Sequence, residues 1–212
     1  MVSRSRRAFR KAGTLRRRVA IQSPRRTFLV FCEGTKTEPD YIEALRQEPA
    51  VRDSASVLRM EESGAVPLTL VKAAAEARAR SSREHGEIDE VWCLFDVEWP
   101  RNHPDLRRAK AKAEVSDVHL AISNPCFELW LALHFEDHEA WLNNDAAGKL
   151  RRKHDRSSGK GLAGSQYMCR RADAARRARA LTAKHAGDGR EFPKDNPSSG
   201  MYRFLEAIEP NK

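Results

Sequence analysis

No acidic residue occurs among the first 26 positions of this 212-residue chain, which hold ten lysines and arginines. A stretch so one-sided cannot neutralise itself and gains affinity, or order, beside a polyanion. Arg4, Arg6, Arg7, Arg10, Arg16, Arg17 and Arg18 are therefore read as phosphate ligands, with a solubilising tail as the competing reading. The stretch also lacks the amphipathic apolar face expected of a mitochondrial transit peptide. No run is apolar for long enough to cross a bilayer, and no signal peptide with an apolar centre opens the chain. These absences argue against a membrane partner and lead to the expectation of a soluble, cytoplasmic protein. None of the four cysteines, Cys32, Cys93, Cys126 and Cys169, shows CxxC spacing, and the first three fall in apolar segments. All four are expected to be reduced core residues. Among the histidines only His134 and His138 stand four apart, a spacing that zinc uses on one helix face. No third ligand in a recognisable motif accompanies them, so a surface or helix-end role is expected.

What the chain does hold is an acidic residue directly behind each of two short apolar runs. Thr27 to Cys32 (TFLVFC) is followed by Glu33-Gly34, and Val91 to Phe95 (VWCLF) by Asp96-Val97-Glu98. Each run is too short for a globular helix, is rich in β-branched and aromatic residues and shows no polar alternation, which predicts strands buried on both faces and hence parallel. In an open parallel sheet, groups just past the carboxyl ends of strands converge on one crevice. Glu33, Asp96 and Glu98 are placed there, the last two side by side because alternate residues of an extended chain point the same way. Gly34 relieves crowding beside Glu33. Three converging carboxylates repel one another unless a hard cation joins them, and Mg²⁺ is held by one or two carboxylates together with substrate phosphates and water.

Around these runs the chain alternates strand and helix. Thr37-Glu38-Pro39-Asp40 carries a helix-start signature with Thr37 as N-cap, and Tyr41, Ile42 and Leu45 form the apolar face behind it. Ala55 to Met60 reads as a strand, Pro67 to about Arg83 as a helix with Leu68, Val71 and Ala75 buried, Pro104 to Val115 as a basic helix, and Val118 to Ser123 as a fourth strand. The fold class expected is a doubly wound α/β sheet. Asn124-Pro125 then leads into the mostly buried helix CFELWLALHF. Glu128 near its start is either a cap favoured by the helix dipole or a member of the crevice, with Asn124 beside it. Beyond roughly Glu136 the composition shifts to short helices and polar loops, with helices expected from Asn144 to His154 and from Met168 to His185, and a turn capped by Ser198 or Ser199 ahead of a last apolar helix. The organisation expected is a flexible basic arm (residues 1–26), an α/β core (27–135) and a helical, basic C-terminal part packed on that core (136–212). Arg151, Arg152, Lys153, Lys160, Arg170 and Arg171, with Arg176, Arg177 and Arg179, suggest a phosphate-gripping patch, solvated charge accounting for some of them.

FLVFCEGTKTEPDYIEAL, SGAVPLTLV, EVWCLFDVEW, AISNPCFELWLALHF and the closing NPSS, in that order from about Arg26 onward, resemble the RloB-like family of small bacterial proteins. The resemblance implies a Toprim-type fold, the metal-binding module of topoisomerases, primases and related nucleases. It places the motif glutamate at Glu33, the acidic pair at Asp96 and Glu98, the Asn-Pro-Cys-Phe-Glu stretch at Asn124 to Glu128, and a downstream lysine at Lys160. Where the family more often reads Asp-x-Asp, Glu98 is the longer acid, which leaves Mg²⁺ and Mn²⁺ both open. The resemblance also implies restriction-linked and abortive-infection loci, often beside an ATPase.

The function expected is a metal-dependent nuclease of anti-phage defence acting on tRNA, other RNA or DNA. Asp96 and Glu98 would hold the metal, Glu33 would be a further ligand or the proton-transfer group, and Glu128 and Lys160 would complete the catalytic set. The rival expectation is a Toprim-fold subunit that binds nucleic acid or an ATPase subunit and does no chemistry alone.

Overall fold

In the computed structural model, which describes residues 26–53, 56–62, 65–83, 88–156 and 161–209, the apolar runs form the centre of a sheet. Its strands are β1 (Arg26–Cys32), β2 (Ser56–Glu62), β3 (Glu90–Asp96), β4 (His119–Asn124) and a two-residue β5 (Ser198–Ser199), ordered β2-β1-β3-β4-β5. The first four are parallel and β5 is antiparallel to β4. The helices are α1 (Thr37–Gln47), α2 (Pro49–Asp53), α3 (Pro67–Arg83), α4 (Leu106–Val115), α5 (Phe127–Ala132), α6 (Asn144–Asp155), α7 (Gly164–Met168), α8 (Arg171–Gly187) and α9 (Met201–Ile208).

The pleat of β1 and β3 sorts side chains onto two cores, because successive residues face opposite sides of a strand. Phe28, Val30, Cys32, Trp92 and Leu94 pack with Tyr41, Ile42 and Leu45 of α1, with Phe127, Trp130 and Leu131 of α5, and with residues of α8 and α9. Leu29, Phe31, Val91, Cys93 and Phe95 meet Leu70, Val71 and Ala74 of α3 and Leu106, Ala109 and Ala113 of α4. A fully buried Val, Leu, Ile or Phe side chain contributes about 1.5–3 kcal/mol, and burial on both faces is what holds so apolar a strand at the centre. The chain passes from β1 to β2 on one side and returns to β3 on the other, so the carboxyl ends of β1 and β3 flank the point where strand order reverses.

The C-terminal part is woven into this frame. Tyr167, Met168, Ala174, Ala178 and Leu181 share the core of Phe28 and Trp130, and β5 extends the sheet through Ser123 and Asn124. Gly200 crosses β4 so closely that a Cβ there would lie 3.0 Å from the Ile122 amide nitrogen.

Several local expectations change. Lys36, not Thr37, is the N-cap of α1, and no side chain caps it; Thr37 is already helical and buried. The helix expected from Met168 to His185 breaks at Cys169 and Arg170 into α7 and α8. Ser198 and Ser199 are strand rather than turn. Helix α5 ends at Ala132, so His134 and His138 do not share a helix face; His134 is a buried core residue whose ring meets Tyr41 Oη at 3.2 Å and the Trp130 carbonyl at 2.9 Å. Burial lowers its pKa to about 4. Cys32, Cys93 and Cys126 are buried and Cys169 is exposed, and none of the four is in a disulfide.

Candidate functional site

Strand pairing runs one residue past β1: the Glu33 N–H donates to the Leu94 carbonyl at 3.0 Å. This turns the Glu33 side chain toward the end of β3, where Oε2 accepts the Asp96 N–H at 2.9 Å and Oε1 lies 2.6 Å from His103 Nε2. Burial pushes the Glu33 carboxyl up to about 7; the Asp96 N–H works against that shift and the nearby Glu98 charge adds to it. The crowding that Gly34 relieves comes from another acid. A Cβ at Gly34 would stand 2.0 Å from Oε2 of Glu38, which is itself buried in the first turn of α1.

Asp96 ends β3. Its carboxyl is held well above the usual carboxylate range, first by burial and then by the charges of Glu38, Glu128 and Glu33, with the Phe127 N–H partly offsetting them. Glu98 is not the next outward residue of a strand, since β3 stops at Asp96 and Glu98 has φ +68°, in the left-handed region. The backbone hydrogen bond from its N–H to the Pro125 carbonyl, 2.8 Å, holds this conformation. Strand alternation therefore does not align Asp96 with Glu98; the turn does, and both line the same cleft. Asn144, the first residue of α6, joins this turn with both ends of its amide. Nδ2 donates to the Glu98 carboxylate and Oδ1 accepts the Trp99 N–H at 3.0 Å.

Glu128 lies in the first turn of α5, its Oε1 3.9 Å from Arg151 Nη1. Arg151 is buried, with Nε on Asp155 at 2.7 Å and Nη2 on the Gly161 carbonyl at 2.8 Å, and Tyr167 Oη donates to the same Asp155 carboxylate at 2.6 Å. Burial, together with Asp96 and Glu128, also pushes up the Cys126 thiol pKa.

Glu33, Gly34, Glu38, Asp96, Glu98, Cys126, Glu128, Asn144 and Arg151 line one open cleft of about 520 Å³. Glu33, Glu38, Asp96, Glu98, Glu128 and Asp145 supply its acids, and Lys36, Arg151 and Arg152 its cations. Four of the carboxylates named from sequence thus come together, and the structure adds Glu38, His103 and Asn144. Glu38 was legible only as a helix-start acid, and neither the irregular His103 segment nor the first residue of α6 carries a motif.

Other expected members lie elsewhere. Asn124 points away from the acids, donating to the Pro193 carbonyl at 3.0 Å and Asp195 Oδ1 at 2.9 Å. Arg171 is clamped between Glu48 and Glu209, Lys153 pairs with Glu136, and Arg170 sits over the Phe135 ring. Arg171 and Lys153 are thus each engaged by acids from other elements. Lys160 and the seven arginines from Arg4 to Arg18 lie outside the described residues.

The donor chemistry of the cleft suits a hard divalent cation, whose charge would relieve the repulsion that raises Asp96. Among the described residues, however, no three His, Cys, Asp or Glu side chains stand jointly placed to hold a metal. Glu33 is turned to His103 and Glu98 to Asn144. Joint ligation would need these two carboxylates to leave those partners. Among the described residues, no helix is long and apolar enough to cross a membrane.

The family model for RloB-like protein matches residues 28–208, most of the chain, and the protein belongs to that family. No curated protein and no solved structure matches it.

Proposed function

We propose that this RloB-like protein is a Toprim-type endonuclease that hydrolyses phosphodiester bonds of RNA, tRNA or DNA with the help of Mg²⁺ or Mn²⁺, in bacterial anti-phage defence. The observation that carries the reading is the convergence of Glu33, Asp96, Glu98 and Glu128 on one cleft where strand order reverses. A glutamate after the first strand and an acidic pair after the third parallel strand support the Toprim assignment. Support for the defence role and for an ATPase partner comes from the family resemblance alone.

Asp96 and Glu98 would hold the metal, with Glu33 or Glu128 beside them; when bound, the metal polarises the scissile phosphate and lowers the pKa of a water. Glu33, near neutrality and beside His103, is suited to take a proton at physiological pH. Arg152 and Lys36 on the rim would offset charge on the phosphate. A general base must sit within hydrogen-bond reach of its proton, which the open cleft allows for Glu33.

The test is a cleavage panel of tRNA, single-stranded RNA and duplex DNA with Mg²⁺, Mn²⁺ or chelator. Cutting that needs the divalent ion and is lost in Glu33→Ala and Asp96→Ala is the expected result. A binding subunit is the second reading, favoured by the engagement of Glu33 with His103 and of Glu98 with Asn144. Tight binding without cutting across the panel, also with the partner ATPase present, would establish that reading instead.

A further inference from the structure

Beside the acidic cleft lies a second cavity of about 390 Å³, lined by Trp99, Trp141, Asn102, Asn124, Arg190 and Lys194 among others. Of the four tryptophans, Trp92 and Trp130 are buried, whereas Trp99 and Trp141 remain 40% and 53% exposed. These two rings meet edge to face at 5.3 Å and 90°, so the edge of one covers only part of a face of the other, and both residues stay well exposed. The folded chain has every reason to bury indole rings, and an exposed pair in a concave site points to a ligand.

The backbone that carries both rings is held in place. The Trp99 N–H is fixed by Asn144 Oδ1, and the backbone beside Trp141 is fixed by Asn196, whose side chain accepts the Leu142 N–H at 3.1 Å and donates to its carbonyl at 2.8 Å. Asn196 is buried at the wall of the cavity. Arg190 and Lys194 bring two positive charges to the rim, and none of the residues described as lining the cavity is acidic. Apolar π-faces next to cations, without acids, match an unpaired nucleotide, whose base stacks while its phosphate is neutralised. The cavity reaches Trp99, the residue next to Glu98, so a base bound there adjoins a phosphate presented to the carboxylates.

We infer that Trp99 and Trp141, flanked by Arg190 and Lys194, form a stacking site for an unpaired nucleobase of a single-stranded or looped nucleic acid. The inference rests on the nucleic-acid reading above and narrows its substrate class. Duplex bases, already stacked on one another, offer no free face to the rings.

The test measures binding of the full chain in chelator, where no cutting occurs, to an oligouridylate of about 12 nucleotides, to an abasic strand of the same charge and to a duplex of equal length. Oligouridylate should quench the exposed tryptophans and bind at least about 5-fold tighter than the abasic strand or the duplex. Trp99→Ala and Trp141→Ala should each weaken oligouridylate by about 5- to 100-fold, while Trp99→Phe, which keeps a π-face and guards against misfolding, stays within about 3-fold. Arg190→Ala with Lys194→Ala should flatten the salt dependence. Equal affinity of the unaltered chain for the abasic and base-bearing strands, or unaltered affinity in the alanine variants, overturns the inference. Because binding is read without metal, an absence of cleavage leaves this result intact. Conversely, cleavage by a Trp99→Ala, Trp141→Ala chain of unaltered affinity overturns the stacking site and spares the nuclease.

Discussion

The acidic cleft and the arginine-rich helix α8 are both dense in charge, yet they differ in how that charge is answered. On α8, Ala174, Ala178 and Leu181 face the core, and the arginines around that stripe are matched by acids. Arg171 bridges Glu48 and Glu209, Arg176 meets Asp173, Arg177 reaches Asp137 and the Leu133 carbonyl, and Arg179 meets Glu206. In the cleft, carboxylates face carboxylates, and Asp96 is raised by three of them on top of its burial. Charge density alone marks surface or scaffold; mutual repulsion that the fold tolerates marks a place kept for something else.

The contrast breaks most visibly at Asp96. Asp96→Asn should cut cleavage by at least about 10²-fold while raising unfolding free energy at pH 8 by about 1 kcal/mol, since it removes a buried charge from among like charges. Turnover and urea denaturation on the same preparation check both halves, and a variant both inactive and destabilised would mean that Asp96 is structural.

The second prediction concerns pH. Glu33 titrates at about 7 in the fold against an ordinary value of 4.5, so the native state holds more protons than the unfolded chain between those values. Its stabilising contribution is complete below pH 4.5 and is lost as pH rises through 7, amounting to roughly 3 kcal/mol if the whole shift is realised. Denaturant midpoints in chelator should fall across that window, Glu33→Gln should flatten the fall, and added Mg²⁺ should restore stability above pH 7.

Sequence reading captured the axis of this contrast better than its details. The strands were legible from Thr27 to Cys32 and Val91 to Phe95 because burial on both faces leaves uninterrupted apolar runs. Glu33 and Asp96 followed from where those runs stop. Glu38 and His103 were not legible, because one sits in a helix start that accounts for an acid by itself and the other in an irregular segment folded back by the His103 N–H to Val97 carbonyl bond. Asn124 misled for a related reason: it is the last residue of β4, next to the crevice, but here Pro193 and Asp195 supply acceptors on the other side. The ion pairs of the α8 arginines with Glu48, Glu209, Asp137 and Glu206 were not legible, because sequence shows a charge without the acid that meets it from a distant element.

Two smaller tests sharpen the other side of the comparison. Arg171→Ala, which strands Glu48 and Glu209 in a partly buried setting, should cost about 1–3 kcal/mol in urea denaturation and leave oligonucleotide affinity within about 2-fold. Loss of affinity without loss of stability would return Arg171 to the nucleic-acid surface. Arg176→Ala, whose bridge to Asp173 is exposed on one helix, should change stability by no more than about 0.5 kcal/mol.

The segment from Pro193 to Ser199 ties together parts of the chain made long before it. It takes the Asn124 amide, clamps Leu142 through Asn196, and pairs Ser199 with Ser123 across 76 positions. Those anchor points border the two contacts that hold Glu98, the Pro125 carbonyl and Asn144. During synthesis the ribosome therefore delivers every cleft carboxylate well ahead of the strap that steadies them. A nascent chain carries the acids on an unfinished frame, and the cleft is steadied only once residues 193–199 have been made.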